Sequence, residues 1–513
     1  MIAVDFSVSV LDKTPVETLA AKKLGAKSVK RCVIVKKSVD ARKKDNVLYN
    51  YRVAVEVENE RLFIGKGTPY DEKNIPKIEH MTIGKTINCN PVVVGSGPAG
   101  LFAALTLALL GAKPVVVERG DSLDKRVEKT EKFIKTLSLD AESNVQFGEG
   151  GAGAFSDGKL NTGVNNDFVK AVINEFVSCG APEEIAYLSK PHVGTDKLID
   201  TVRTLREKIK SLGGTFLFNC RLTDIKTVAG KVTAAITTKG EIPCDRIYLA
   251  IGHSARDTFE MLYRKGVKMT SKTYSIGTRI EHLSKNINFA QYGKFAEVMP
   301  AADYKIAVDA KESGSLYTFC MCPGGKVINA SSEENGVCVN GMSYHARDGV
   351  NSNSALLINV TEKDFGSDHP LAGVEYQRAV ERRVYELTGG YRPVVQTVGD
   401  FLTGRSGTTP SGVLPSVETG YVLGDLREVL PGKIADGIKN GLPLAARKIR
   451  GFDAPDAVLT GAETRSSSPV RILRDEKGAS SMDGLYPIGE GAGYAGGITS
   501  AAADGIRTVL QSI

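Results

Sequence analysis

The feature that most constrains this chain is a short apolar strand followed at once by a glycine-rich turn and an apolar helix. The strand is PVVV at residues 91–94 and the turn is GSGPAG at residues 95–100. In this setting the pattern G-x-G-x-x-G predicts a Rossmann-type βαβ unit that binds a dinucleotide. Gly95 allows the tight turn, Gly97 lets the backbone approach a pyrophosphate, and Gly100 lets helix and strand pack closely.

Context separates this glycine motif from two others that match the same pattern, which begin at Gly148 and Gly491. Only the first follows a buried strand and opens an uninterrupted helix. Glu118 ends the second strand, 23 residues after Gly95. A carboxylate there accepts hydrogen bonds from the adenosine ribose hydroxyls and repels a 2′-phosphate. The alternative is a Rossmann-like turn without a ligand.

Length and composition narrow the class of protein. A chain of 513 residues exceeds one ordinary hydrophobic core, so two or three domains are expected. The longest apolar run, at residues 101–117, is broken by Gly111, Lys113 and Pro114, so no membrane span is expected. The start of the chain lacks the features of an export signal, and eight scattered cysteines suit a reducing cytoplasm. No metal-ligand pattern is seen.

Positive charge is concentrated in the first 85 residues, which hold 17 Lys/Arg and 11 Asp/Glu, a balance of +6 out of +7 for the whole chain. Residues 22–52 alone carry 11 basic side chains against Asp40 and Asp45. This stretch is either a docking face for an anionic partner or the solvated face of a small domain. Solvation is the favoured interpretation, and nucleic-acid binding is not expected.

Periodicity predicts a discontinuous architecture of the α/β plus α+β class. Residues 1–85 form a small basic α+β domain, and residues 86–268 form the first parts of the nucleotide-binding domain. Residues 269–479 form a cap, or substrate domain, in which no motif is recognised. Residues 480–513 return to the nucleotide-binding domain, because a strand, a glycine loop and a small-residue helix follow one another there.

The return segment resembles flavoproteins of the glutathione-reductase type. In them a late strand ends in Gly-Asp, the acid binds the ribityl or pyrophosphate region, and the next helix points its N-terminus at the isoalloxazine. Gly489-Glu490 resembles that motif with Glu in place of Asp, and residues 249–252 (LAIG) are similar to the middle Ala-Thr-Gly motif. The resemblance implies a glutathione-reductase-type Rossmann domain with FAD as cofactor.

Three segments narrow the resemblance to a poorly characterised family of FAD-dependent dehydrogenases or oxidoreductases with a small N-terminal domain. They are GEGGAGAFSDGKL at residues 148–160, TRSSSPVR at 464–471 and GEGAGYAGG at 489–497. The match runs from Val29 to the end of the chain, and it implies the cofactor but not the substrate. The candidate cofactor-binding residues are Gly95, Gly97, Ala99, Gly100, Glu118, Arg119, Gly151, Lys159, Gly252, Gly489, Glu490, Gly497 and Ile498.

Two side chains are candidates for catalysis. By resemblance the loop at residues 148–160 runs near the flavin, so Lys159 either contacts the flavin or a phosphate or is a surface lysine. His253 follows the middle motif and is an acid or base candidate at neutral pH. A histidine at a strand end is more often only a hydrogen-bonding residue.

Arginines and cysteines add weaker signals. Arg405, Arg465 and Arg471 suit recognition of a carboxylate or phosphate, although an internal ion pair explains any one of them as well. Cys320 and Cys322 are separated by a single residue, which would make a disulfide between them strained. Buried inert thiols are the default expectation for this pair.

Three functions stay open from the sequence. The first is an FAD-dependent oxidoreductase, a dehydrogenase or reductase, acting on an unidentified small molecule bound between the flavin domain and the cap. The second is a flavin-dependent RNA-modifying enzyme that uses the basic N-terminal domain. The third is a non-catalytic redox sensor or scaffold. A second nucleotide-binding unit is not recognised, so the electron donor is a nicotinamide bound in another way or a different reductant.

Overall fold

The N-terminal part of the chain forms its own small sheet. The structure is a computed structural model that describes residues 1–164 and 166–513. The sheet order is β2-β3-β1-β4, with β1 antiparallel to both of its neighbours. The elements are β1 Ile2–Ser9, α1 Val16–Leu24, β2 Arg31–Asp40, β3 Leu48–Glu56, β4 Thr68–Pro69 and α2 Ile78–Thr82.

This small sheet is anchored to the rest of the protein. Lys37 in β2 donates its backbone N–H to the Tyr187 carbonyl at 2.8 Å and accepts from Ser189 N at 2.9 Å. Val10 and Val47 are buried in the same apolar cluster as the core of the cap. The Lys37 ammonium lies 4.3 Å from the centre of the Tyr49 ring, which also packs on that cluster. The sheet therefore packs against both neighbouring parts of the chain.

A parallel five-stranded sheet lies at the centre of the next part. In order across the sheet its strands are β23 (Leu485–Pro487), β11 (Arg246–Leu249), β5 (Pro91–Val94), β6 (Val115–Val117) and β7 (Thr215–Leu217), and every neighbouring pair is parallel. The elements up to residue 268 are β5 Pro91–Val94, α3 Pro98–Leu109, β6 Val115–Val117, α4 Leu123–Thr136, α5 Asp167–Ser178, α6 Thr195–Ser211, β7 Thr215–Leu217, β8 Leu222–Val228, β9 Lys231–Thr237, β10 Gly240–Pro243, β11 Arg246–Leu249 and α7 Arg256–Arg264.

Both faces of the parallel sheet are buried, as βαβ connections require. Val93 packs on one side against α3 and its neighbouring helices, whereas Val92 and Val94 face the opposite apolar cluster. A separate antiparallel sheet, β10-β9-β8, branches from the second face. The carboxyl ends of β5, β11 and β23 meet at one edge, which is where ligands bind in open α/β sheets.

The cap is built on a seven-stranded, mainly antiparallel sheet of order β14-β15-β18-β13-β21-β19-β20. Its central strand β13 is buried along almost its whole length. The elements are β12 Met269–Ser271, β13 Tyr274–Leu283, α8 Ser284–Tyr292, β14 Ala307–Asp309, β15 Ser315–Cys322, β16 Lys326–Asn329, β17 Val339–Met342, β18 Asn351–Val360, α9 Glu362–Phe365, α10 Ala372–Thr388, β19 Val394–Thr397, α11 Val398–Thr403, β20 Val422–Leu423, α12 Gly432–Ala446, β21 Val458–Glu463 and β22 Val470–Ile472.

The end of the chain returns to the parallel sheet with β23 Leu485–Pro487 and α13 Ile498–Gln511. β23 pairs with β11 at the sheet edge, and α13 packs tightly on α3. A Cβ added at Gly505 would lie 2.4 Å from the Ala99 carbonyl oxygen, so the two helices approach to backbone contact. Among the described residues, no helix is long and apolar enough to cross a membrane.

Candidate functional site

The first glycine loop contains two glycines that the fold requires and one that it does not. Gly95 has φ 97°, and a Cβ there would lie 2.3 Å from the Ala250 carbonyl oxygen. A Cβ at Gly100 would lie 1.9 Å from the Gly95 oxygen. At Gly97 φ is −73°, and a Cβ would make only ordinary contact, 3.7 Å from Gly151 Cα. Packing therefore explains Gly95 and Gly100 but not Gly97.

Gly97 is also the N-cap of α3, and no side chain caps this helix start. The second residue of the helix, Ala99, is buried against the return segment. An uncapped helix N-terminus carries free N–H donors and the positive end of the helix dipole. The arrangement suits a phosphate group held by the backbone in front of Gly97.

Glu118 ties both glycine loops together. Its Oε2 accepts from the backbone N–H and the hydroxyl of Ser96, each at 2.8 Å. Its Oε1 accepts from Gly120 N and Gly148 N, each at 3.0 Å. The carboxylate is buried, and these four donors match its four lone-pair positions. A ribose hydroxyl that reaches this carboxylate has to share an oxygen with a donor from the chain.

The second glycine loop lies directly on the first. Gly150 N donates to the Ser96 carbonyl at 2.9 Å, and a Cβ at Gly151 would lie 3.1 Å from Gly97 Cα. Arg126 of α4 holds this loop from behind, because its fully buried guanidinium donates to five backbone carbonyls, of residues 144, 145, 148, 149 and 151. Burial lowers the pKa of Arg126 to about 10, which leaves it charged at neutral pH.

The loop between β23 and α13, residues 488–497, is called the return loop below. It brings Glu490 to the carboxyl edge of the parallel sheet. Gly489 has φ 73°, and its N–H donates to Asp504 Oδ2 at 2.8 Å. Glu490 follows, and burial raises its pKa to about 7, although the Gly497 N–H and the Lys272 ammonium act in the opposite direction. Ile498 then begins α13, whose N-cap Gly497 also lacks a side-chain cap.

Three glycines at this edge face open space. A Cβ added at Gly252, Gly496 or Gly497 would meet no atom within 4 Å. The first follows β11, and the other two precede α13. Together with the two uncapped helix starts, they line a space that offers backbone N–H donors but little side-chain bulk. This donor set fits an elongated ligand that carries phosphates.

Lys159 is not a free surface lysine. Its ammonium contacts Asp157 at 2.5 Å and donates to the Met321 carbonyl oxygen of the cap. Arg347 pairs with the same aspartate at 2.5 Å. Burial opposes the charge on Lys159, but Asp157 together with Cys320 and Cys322 raises its pKa, so it stays protonated. The lysine thus joins the second glycine loop to the cap.

His253 directly follows Gly252, one of the glycines that face open space. Its Nδ1 lies 2.9 Å from the Ser254 hydroxyl. Burial, and then the nearby Arg465 and Arg256 cations, lower its pKa to about 3. The imidazole is therefore neutral near pH 7 and too weak a base to take up a proton readily, so at this pH its environment favours a hydrogen-bonding role over acid–base catalysis.

The candidate arginines fall into different environments. Arg119 pairs with Glu142 and Asp257 and lies 4.0 Å from the Phe147 ring centre. Arg465 is buried and bidentate to Glu381, so it forms an internal ion pair.

The other two candidate arginines are exposed. The nearest carboxylate to Arg405 is Asp400, at 3.9 Å. Arg471 is exposed beside the return loop, where it donates to Gly493 O at 3.3 Å. Of these arginines, Arg471 is the one that contacts the return loop.

Sequence reasoning missed the buried charges that support these loops. They are Arg126 behind the second glycine loop, Asp157 between Lys159 and Arg347, and Asp504, which is bidentate to Arg474. No local pattern marks these residues, since each also has partners distant in the sequence. Within the part of the chain that the structure describes, no cluster of His, Cys, Asp and Glu could hold a metal ion.

Family models match three parts of the chain. An FAD binding domain matches residues 90–126, and the model described as FAD-dependent protein, C-terminal domain-like matches residues 273–466. A domain of unknown function matches residues 5–56. A Clostridium beijerinckii protein described as uncharacterized is 46% identical over 522 residues, covering 100% of this chain and 97% of the relative.

Solved structures show weaker similarity. An E. coli quinol fumarate reductase matches at a TM-score of 0.37 and 11% identity, covering 83% of this chain and 69% of that one. L-Proline dehydrogenase from P. horikoshii matches at a TM-score of 0.32 and 11% identity, covering 83% and 92%. Glycine oxidase from Bacillus cereus matches at 0.30 and 11%, covering 82% and 94%. These similarities are too weak to carry an argument about the reaction.

Proposed function

The chain belongs to the same family as its Clostridium beijerinckii relative and matches models of FAD-dependent proteins, and from that premise we propose that it oxidises or reduces a small anionic molecule held between the parallel sheet and the cap. FAD is its cofactor, as the sequence predicted, and the family is one of FAD-dependent oxidoreductases. The supporting observation is the edge where two uncapped helix N-termini meet glycines that face open space.

In this proposal different residues of the edge bind different parts of FAD. The α3 N-terminus at Gly97 holds the pyrophosphate, and Glu118 keeps both glycine loops in place while sharing an oxygen with the ribose. Glu490 hydrogen-bonds the ribityl region. The α13 N-terminus at Gly497 places its dipole toward negative charge on the isoalloxazine. FAD supplies two-electron redox chemistry there, and the chain supplies position and charge.

We also propose a division of the chain into domains. The FAD-binding domain would comprise residues 86–268 and 480–513, arranged as in glutathione-reductase-type flavoproteins, with residues 269–479 as the cap and residues 1–85 as a packing domain. The parallel pairing of β11 with both β5 and β23 supports a discontinuous domain. The anchoring of the N-terminal sheet to residues 187–189 supports a structural role for it.

An anionic substrate is favoured by two cations beside the return loop. The Lys272 ammonium donates to Ser467 Oγ at 2.7 Å, and burial followed by the Arg471 charge lowers its pKa. Two neighbouring cations that repel each other gain by sharing an anion. Glu490 compensates part of their charge, so a single carboxylate or phosphate on the substrate suits the site.

The cofactor part of this proposal is tested with Gly97→Ala. Because the fold accepts a Cβ at this position, the apoprotein should keep its wild-type melting temperature, while the dissociation constant of FAD rises about tenfold or more, or about 1.4 kcal/mol. Gly97→Val should abolish binding. Gly496→Ala repeats the test at the start of α13. FAD binding is measured by the change in flavin fluorescence on titration.

Gly432→Ala is the matched control. This glycine also begins a helix, and a Cβ there meets no atom within 4 Å, but it lies on the cap surface. Its FAD affinity should equal that of the wild type. If Gly97→Ala also binds FAD like the wild type, the cofactor does not lie on this loop.

The substrate part is tested by an anaerobic screen for compounds that bleach the oxidised flavin spectrum. Carboxylates and phosphates should do so, and their uncharged analogues should not. With an active anion in hand, Lys272→Met should raise KM more than it lowers kcat, whereas Lys448→Met on the cap surface changes neither. Bleaching by neutral compounds alone would overturn the anionic assignment.

A further inference from the structure

The two cysteines at the end of β15 interrupt a regular strand. The pairing of β15 with β18 shifts register between Phe319 and Cys322. Cys320 has φ 44°, a left-handed conformation that is uncommon for residues other than glycine. Such outliers concentrate at functional sites. Cys320 is partly exposed, whereas Cys322 is buried.

Hydrogen bonds connect this pair to the flavin-binding loops. The Lys159 ammonium donates to the carbonyl of Met321, the residue between the two cysteines. The next residue in the glycine loop, Leu160, accepts from Thr499 Oγ1 of α13 at 3.0 Å. The Cys320 charge also acts on Glu490 of the return loop. The thiols therefore lie on the side of the cap that faces the proposed isoalloxazine position.

Two cations lie beside the pair, the partly buried Lys159 and the fully buried Arg279. Arg279 is fully buried, and its guanidinium donates to the Cys320 carbonyl at 2.7 Å and lies 3.7 Å from Cys322 Sγ. The hydrogen bond from Cys322, followed by the charges of Lys159 and Arg279, lowers the pKa of Cys320 below its ordinary value. The pKa of Cys322 is raised well above its ordinary value. The two cations therefore favour a thiolate at Cys320, whereas Cys322 keeps its proton more readily.

We propose that Cys320 and Cys322 form a dithiol–disulfide pair that exchanges two electrons with FAD. The proposal rests on the FAD site described above. In the oxidising direction the Sγ–Sγ bond forms, the S–H bond of Cys322 breaks, and the electron pair and that proton pass to FAD, which becomes its reduced anion. Reduction of the disulfide reverses each change.

The sequence spacing fits this role. A bridge across one intervening residue is strained, and strained disulfides are readily reduced. A partly exposed thiolate beside a buried thiol also matches the usual arrangement of an attacking and a resolving cysteine. The outward redox partner of the pair would then be a small thiol or disulfide, the class that exchanges with an accessible thiolate.

The first experiment detects the bridge without using the flavin. Wild-type holoprotein is oxidised with diamide, denatured, treated with N-ethylmaleimide and digested. The peptide that contains both cysteines should lose two hydrogens and take up no reagent, and dithiothreitol should reverse both changes. In Cys320→Ser and Cys322→Ser the remaining thiol should be alkylated. Cys32→Ser, which changes a partly exposed cysteine of β2, should form the bridge like the wild type.

The second experiment counts electrons. After diamide oxidation, an anaerobic dithionite titration of wild-type holoprotein should consume about four electrons per FAD, two for the flavin and two for the disulfide. Cys320→Ser should consume about two. Both measurements are complete on the wild-type protein, so a variant that fails to fold does not affect the conclusion.

The results of the two experiments distinguish failure of the dithiol proposal from failure of the proposed FAD site. Absence of the bridge in oxidised wild-type protein overturns the proposal, and so does a bridge combined with an uptake of only two electrons. Protein that forms the bridge but retains no FAD on reconstitution contradicts the cofactor site instead.

Discussion

The carboxylate of Glu118 should control both the stability of the FAD-binding part and its affinity for FAD. We consider Glu118→Gln, which keeps the shape of the side chain and replaces one oxygen by an NH2 group. The cheaper orientation turns the NH2 toward Ser96, because the Ser96 hydroxyl can reverse and accept. The Ser96 N–H then loses its partner, while Gly120 and Gly148 keep bonds to a neutral oxygen.

The magnitude follows from these bonds. One buried N–H without a partner costs about 1–3 kcal/mol, and each bond that changes from a charged to a neutral acceptor loses about 1 kcal/mol. A neutral amide costs less to bury than a carboxylate, which offsets part of this loss. The net destabilisation is about 3 kcal/mol, which lowers the melting temperature of the FAD-binding part by about 6–12 °C. Because both glycine loops lose their common anchor, the dissociation constant of FAD should rise about tenfold or more.

Calorimetry of the apoprotein and fluorescence titration of FAD measure the two effects. Glu142→Gln is the matched control, since Glu142 is 43% exposed and pairs with Arg119 and Arg221 at 3.1 and 3.4 Å. Exposed pairs of this kind contribute about 1 kcal/mol or less. If the two variants lose the same small amount of stability and bind FAD equally, the reasoning about a four-donor anchor is wrong.

Two further predictions concern the return loop and the basic domain. Burial raises the pKa of Glu490 from 4.5 to about 7, so its protonated form stabilises the folded apoprotein below pH 4.5, and this contribution is lost as pH rises through 7. Glu490→Gln should therefore have a higher melting temperature than the wild type at pH 8 and the same melting temperature at pH 4.5. An equal difference in melting temperature at both pH values would contradict the raised pKa of Glu490. The whole protein should bind RNA only weakly, with an affinity that falls steeply with salt, because Tyr49 and Tyr51, the aromatic residues of the basic stretch 22–52, are engaged in packing. Submicromolar, sequence-dependent binding of labelled RNA at physiological salt would instead support an RNA-modifying enzyme.

Local sequence patterns predicted the glycine loop well. The strand at residues 91–94, the turn and the helix occur as expected, and the FAD assignment is confirmed by the family that the chain belongs to. The pattern is local because Gly100 packs on the Gly95 carbonyl five residues earlier, while Gly97 leaves the helix start between them open. The sequence predicts no strand at residues 2–9, where the structure has β1.

The cap gave no recognisable motif for a physical reason. Strand β13 is buried on both faces, so its residues do not alternate between apolar and polar as a half-buried strand does. It also carries buried Arg279 and Glu281, which would argue against a core strand if their partners were unknown. Their partners, Glu463 and Asn351, are distant along the chain and are supplied only by the fold.

The sequence by itself therefore determined the nucleotide-binding loop, its cofactor and the late return segment, since these depend on residues adjacent in the chain. Only the tertiary structure decided which charges become functional neighbours. Lys159 meets Met321 across 162 positions, and Arg279 reaches the cysteines across about 40. A thiol's reactivity depends on cations within a few ångströms of it, and such distances between segments are fixed by packing rather than by any local pattern.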